Sequence, residues 1–225
     1  MKKIKNNKKG FTRLGLASLV MTIILTITGL CVTTKTNVSA ASGGTCPATL
    51  EYAMFPNGIL YVSQTAYAKY SHSGKNSTDI VPNGRVVAPF SCTIKYIDKS
   101  WGYVIVQSDY PVRYADGTID YMCVGFMHDN NVSDLKVGMH LNQGQAFYDK
   151  GTKAGSGGSK ITGAHVHINV MRGKFTTSMK SKYSSRANVY IYDAFWLAPN
   201  TKITKSGYAK TKWKSLPMYI CPICF

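Results

Sequence analysis

Residues 163–170 read GAHVHINV, with His165 and His167 one residue apart inside an apolar run that alternates with period two. Successive side chains of a β-strand point to opposite faces, so the two imidazoles share one face and Val166, Ile168 and Val170 the other. A single histidine is ordinarily a hydrogen-bonded structural residue, but two on one strand face suit a metal. Neutral imidazole is the commonest protein ligand for zinc, and a catalytic zinc takes three protein ligands with a fourth position left for water. His72 and His128 also fall beside or at the ends of strand-like segments, which brings four of the five histidines into question.

Elimination narrows the chemistry. Glu51 is the only glutamate in the chain, so an HExxH zinc site is excluded and any general base must be His or Asp. No G-x-S-x-G sequence is present, which removes the usual serine-hydrolase signal. A cysteine peptidase built on Cys92 or Cys123 would need a lowered thiol pKa, and neither residue opens a predicted helix that could supply one. The terminal CPICF has redox spacing, but a thioredoxin-type site needs a helix after its first cysteine. Zinc is the chemistry these residues favour.

The elements that must position the histidines are short strands. Segments rich in β-branched and aromatic residues recur at 59–63, 85–89, 93–98, 103–108, 119–128, 145–148 and 164–170, separated by turn-forming stretches such as PNG, DKSWG and YADGT. Long helical periodicity is missing there, so the expected fold is mainly β: a small twisted antiparallel sheet with a groove and variable loops. The glycine-rich stretch 151–163 reads as a loop that delivers the chain into the two-histidine strand. After Lys174 the chain turns polar and basic, and VYIYDAFWLAP (189–199) reads as a short packed strand or helix.

The first forty residues stand apart. A head with five lysines and Arg13, an apolar run over 14–32 and the small residues Val38-Ser39-Ala40 describe a secretory signal peptide, with an uncleaved membrane anchor as the alternative. The expected organisation is a signal peptide over 1–40, a leading segment over 41–70, a core carrying the candidate zinc site over 71–175 and a basic extension over 176–225. Without residues 1–40 the chain carries 20 Lys+Arg against 10 Asp+Glu, a balance that favours an anionic partner such as a cell-wall polymer. No recognised nucleic-acid motif accompanies the charge. Cys46, Cys92, Cys123, Cys221 and Cys224 remain after that removal, an odd number, so at least one thiol is free or paired elsewhere.

The segments YSHSGKNSTDI (70–80), VVAPF (86–90), GFMHDN (125–130), DLKVGMHLNQGQ (134–145) and GSKITGAHVHINV (158–170) together resemble the lysostaphin-like zinc metallopeptidases. That family shows, in the same order, a first histidine followed by Gly and Asp, a middle histidine, a glycine-marked strand pair and a closing GxHxH strand. The resemblance covers about residues 55–200. It implies that His72, Asp79 and His167 hold one zinc ion, and that His128 and His165 are the catalytic pair. His140 has no counterpart and reads as a surface residue. The common pattern has three residues between the first His and the Asp, whereas six (SGKNST) separate His72 from Asp79 here. A connection of that length can return both side chains to one metal by bulging outward, and Gly74, Asn76 and Ser77 are turn-prone. The resemblance implies a secreted, zinc-dependent peptidoglycan endopeptidase. The alternative is a catalytically inactive wall-binding or hydrolase-activating module on the same fold.

Overall fold

Strand pairing dominates the computed structural model, which describes residues 50–155, 161–181, 187–204 and 209–216. These lie within the compact unit Pro47–Phe225. The expected signal peptide and Cys46, Cys221 and Cys224 fall outside the described residues.

Thirteen strands are described: β1 (Ile59–Leu60), β2 (Val62–Gln64), β3 (Ser77–Ile80), β4 (Val86–Val87), β5 (Cys92–Asp98), β6 (Tyr103–Ser108), β7 (Val112–Arg113), β8 (Ile119–Asp120), β9 (Met122–Met127), β10 (His140–Leu141), β11 (Ala146–Tyr148), β12 (Val166–Arg172) and β13 (Lys202–Ile203). Seven of them form one sheet in the order β10-β5-β6-β9-β12-β3-β2, antiparallel at every junction. Two-stranded pairs β4–β11, β7–β8 and β1–β13 flank it. Described helix is confined to a 3-10 turn at Thr177–Lys180 and the single-turn α1 at Ile191–Ala194. The protein is mainly β and antiparallel, as its strand-period segments indicate, and no described helix is long and apolar enough to cross a membrane.

Period two sorts the sheet into two faces. Ile94, Val104, Val106, Val124, Phe126, Val166, Ile168 and Val170 enter the large core with Phe55, Phe147, Tyr148, Phe195 and Trp213. Residues from beyond position 176 close that core. Trp213 packs edge-on against Phe55 with centroids 5.5 Å apart, and β13 pairs with β1. On the other face Trp101, Tyr103, Ile105, Cys123, Met127, Met171 and Met179 make a smaller cluster. His167 and Asn169 point to this second face, between Met127 and Met171.

The strand-like segments of the sequence miss the short β7, β10 and β13 and, of more consequence for the site, β3. The connection SGKNST was expected to bulge as a loop, and Ser71–Gly74 do form a turn, with Gly74 at φ +70°. Ser77 to Ile80, however, form β3, which pairs with β12. Its polar residues Ser77 and Asp79 face the second face of the sheet while Thr78 and Ile80 face the other. A strand that lines a polar site lacks the apolar alternation by which strands are read.

Candidate metal centre

Asp79 and His167 are directly opposite in the β3–β12 register, so their side chains meet on one face. Asp79 Oδ1 lies 2.9 Å from His167 Nδ1 and 3.1 Å from His72 Nε2. The two imidazole nitrogens are themselves 3.1 Å apart. His72 comes from the turn before β3 and is fully buried. Its Nδ1 is 2.9 Å from the Thr65 carbonyl, which takes the Nδ1 proton and leaves the Nε2 lone pair aimed at Asp79 and His167. His167 Nε2 is buried with no partner among the described residues.

These three atoms form a candidate cation site of two nitrogens and one carboxylate oxygen. Ligands on a tetrahedral zinc with bonds near 2.0–2.1 Å stand about 3.3 Å apart, so donors at 2.9–3.1 Å fit that ion with little movement. Burial alone would raise the Asp79 pKa, but the adjoining His167 and His72 imidazoles outweigh it and hold the carboxyl well below the usual range. The centre therefore carries a fixed negative charge in a buried setting. Burial lowers the His167 pKa, which keeps that ring neutral and able to donate a lone pair.

Two more imidazoles adjoin the triad. His165, just ahead of β12, shares the face of His167, and its Nε2 lies 3.5 Å from Asp79 Oδ2. Its Nδ1 is 2.8 Å from the Gly163 carbonyl. His128, at the end of β9, has its Nδ1 2.8 Å from the Lys153 carbonyl, and its ring stands 4.8 Å from that of His165 and 5.8 Å from that of His167. Both rings are thus pinned through Nδ1–H and leave Nε2 as an acceptor. Burial lowers the His128 pKa to about 4, so it is neutral at ordinary pH. Its backbone has φ +94°, a conformation that non-glycine residues rarely adopt and that commonly marks a functional position. The β5–β6 turn holds it there: His128 N–H donates to the Trp101 carbonyl at 3.0 Å, and Gly102 approaches so closely that a Cβ would sit 1.9 Å from the Asp129 oxygen.

The triad and the two flanking rings lie at a cleft of about 310 Å³ whose lining includes Asp79, His128, His165 and His167. Gln64, Ser71 and Lys75 give it a polar end, and Val81, Trp101, Met127 and Ile161 are apolar. The motif pattern did not identify Trp101 or Lys75 as lining residues; for Trp101 the available signal is an aromatic standing among the turn formers of DKSWG. Gly163 also lines the cleft, and a Cβ there would meet open space. His140 lies away from the triad, half-exposed and 2.9 Å from Asp109. Cys92 and Cys123 sit on β5 and β9 as buried free thiols. Burial raises the pKa of both, that of Cys123 to about 12, which is the reverse of what a thiol nucleophile needs.

Sheet and cleft together define a mainly antiparallel β protein with a candidate metal centre on one sheet face. No family model matches the chain. Morphogenesis protein 1 of Bacillus phage B103 is 30% identical over 172 residues; the match takes in 74% of this chain but only 45% of the phage protein, so the chain spans under half of that relative's length. Among solved structures, the chain is similar to the catalytic domain of the antimicrobial peptidase lysostaphin from Staphylococcus simulans (20% identity, 52% of this chain and 80% of that one, TM-score 0.36). It is also similar to a zinc-containing peptidase from Vibrio cholerae (14% identity, 52% and 36%, TM-score 0.37) and to the catalytic domain of the prophage-encoded M23 protein EnpA from Enterococcus faecalis (14% identity, 55% and 88%, TM-score 0.39).

Proposed function

We propose that this protein is a zinc-dependent peptidoglycan endopeptidase of the lysostaphin-like kind, exported and acting on peptide stems or cross-bridges of a bacterial cell wall. The observation that carries the reading is the convergence of His72 Nε2, Asp79 Oδ1 and His167 Nδ1 to within 3.1 Å of one another beside two further imidazoles. The ordered motifs from His72 to His167 support the family, and the apolar run before Ala40 supports export. An excess of basic residues over residues 41–225 suits an anionic wall.

His72, Asp79 and His167 would hold one zinc ion, which when bound supplies Lewis acidity toward a scissile carbonyl and makes water acidic near neutral pH. The remaining work belongs to the chain. With no glutamate in reach, His165 Nε2 or His128 Nε2 accepts the proton of the attacking water and returns it to the leaving amine. Until it is returned, that proton on Nε2 donates a hydrogen bond to the oxygen on which negative charge develops. Lys153 and Gly163, through their carbonyls, keep both rings in the tautomer this requires. The apolar lining from Trp101 and Met127 limits water around the reacting bond. A complete set of three donors supports the enzyme over the inactive binding module.

The test is metal content together with hydrolysis of purified peptidoglycan, with and without chelator. About one zinc per chain, with chelator-sensitive release of peptide ends, is expected. A folded protein with neither zinc nor cleavage would overturn the reading.

A further inference from the structure

One row along the sheet from the triad lies a polar pair that the proposed chemistry does not use. Ser77 and Asn169 are opposite each other in the β3–β12 register, two residues from Asp79 and His167 respectively, and so on the same face. Ser77 Oγ donates to Asn169 Oδ1 at 2.5 Å. Both residues are buried, Asn169 to 1% exposure. The Asn169 side chain also adjoins the buried Tyr103 hydroxyl, which stands over Gly125, the β9 residue opposite Asn169. Burying a hydroxyl and an amide costs free energy that their hydrogen bonds do little more than offset, so a purely structural role would be served as well by apolar residues.

The pair sits where the metal centre is mechanically weakest. Asp79 and His167 come from different strands, and their 2.9 Å separation depends on how β3 lies against β12. A slip of one residue would turn Asp79 to the opposite face. β3 is four residues long, and on its other side its pairing with β2 is irregular between Val62 and Gln64. On the far side of Asn169, Gly125 of β9 provides no side chain to brace it, and the Tyr103 ring occupies that space, within 2.8 Å of where a Cβ would stand.

We infer that Ser77 and Asn169 are positioning residues of the metal centre, a cross-strand hydrogen bond that sets the separation of Asp79 from His167 and thereby the affinity and geometry of the bound ion. The inference rests on the zinc reading of the triad. Groups that orient metal ligands ordinarily contribute 10–100-fold to metal affinity.

Zinc affinity of the full chain, measured by competition with a chelating indicator, tests it, with Co2+ absorption as a second readout of ligand geometry. Ser77→Ala and Asn169→Ala are each expected to weaken zinc binding by roughly 10-fold or more and to shift the Co2+ spectrum. The double variant should lose little beyond the worse single one, because both remove the same bond. Ser77→Thr, which keeps the hydroxyl on a β-favouring residue, should restore affinity and spectrum. Single variants within about twofold of the parent, with unchanged Co2+ spectra, would overturn the inference even if they melt earlier, as would losses that multiply in the double variant. A parent chain that binds no zinc would instead overturn the peptidase reading, and the inference with it.

Discussion

His165 and His167 share one strand face, yet the structure gives them different relations to Asp79, and that difference can be measured. His167 Nδ1 is 2.9 Å from Asp79 Oδ1 and 3.1 Å from His72 Nε2, inside the triad. His165 reaches the other carboxylate oxygen at 3.5 Å, a contact too long to be a good hydrogen bond. His167→Ala removes one of three donors. Structural zinc sites with four ligands bind with about 10–16 kcal/mol, or about 3 kcal/mol per ligand, so the loss should be on the order of 100-fold or more in zinc affinity. His165→Ala leaves all three donors and should change zinc affinity by less than about 10-fold, the low end for groups that touch a ligand. Its effect falls on turnover, where losing a proton-transfer group costs about 100- to 10,000-fold. The assay is zinc by chelator competition and peptidoglycan hydrolysis at saturating zinc on the same preparations. Saturating zinc should restore some activity to His167→Ala and none to His165→Ala. Equal loss of zinc from both variants would refute this division of roles.

Two further outcomes follow from burial and close packing. Burial raises Cys123 to about 12, so the folded protein keeps this thiol protonated where an unfolded chain, at about 9, ionises. Its contribution to stability is therefore intact below pH 9 and falls away as the pH climbs toward 12. Alkylation of Cys92 and Cys123 in the native protein should accordingly be slow through pH 9; rapid modification of either with loss of activity would instead support a thiol mechanism. Gly102→Ala places a Cβ 1.9 Å from the Asp129 backbone oxygen at φ +55°, where no side-chain movement can relieve the clash. It should destabilise the fold by about 3 kcal/mol or more in urea unfolding and disturb His128, whose N–H donates to Trp101; a melting profile like that of the parent would contradict this packing.

Much of the architecture can be read from the chain because period two is a local property. The alternation in AHVHINV forces Val166, Ile168 and Val170 into the core and leaves His165 and His167 on the other side, whatever the strand pairs with. The runs 93–98, 103–108 and 119–128 announce β5, β6, β8 and β9 in the same way. The polar strand β3 gives no such signal, since Ser77 and Asp79 face a polar site, and the six-residue spacing from His72 to Asp79 looks like a loop. Pairing of β3 with β12 is a long-range event. Only the tertiary structure decided that Asp79 stands opposite His167, that Thr65 fixes the His72 tautomer, and that Trp101 and Lys75 line the cleft. Residue types and their order along the chain determined which chemistry was available. Register between strands far apart in sequence determined the distances, because hydrogen bonding and packing between β3, β9 and β12 exist only once the sheet has closed around them.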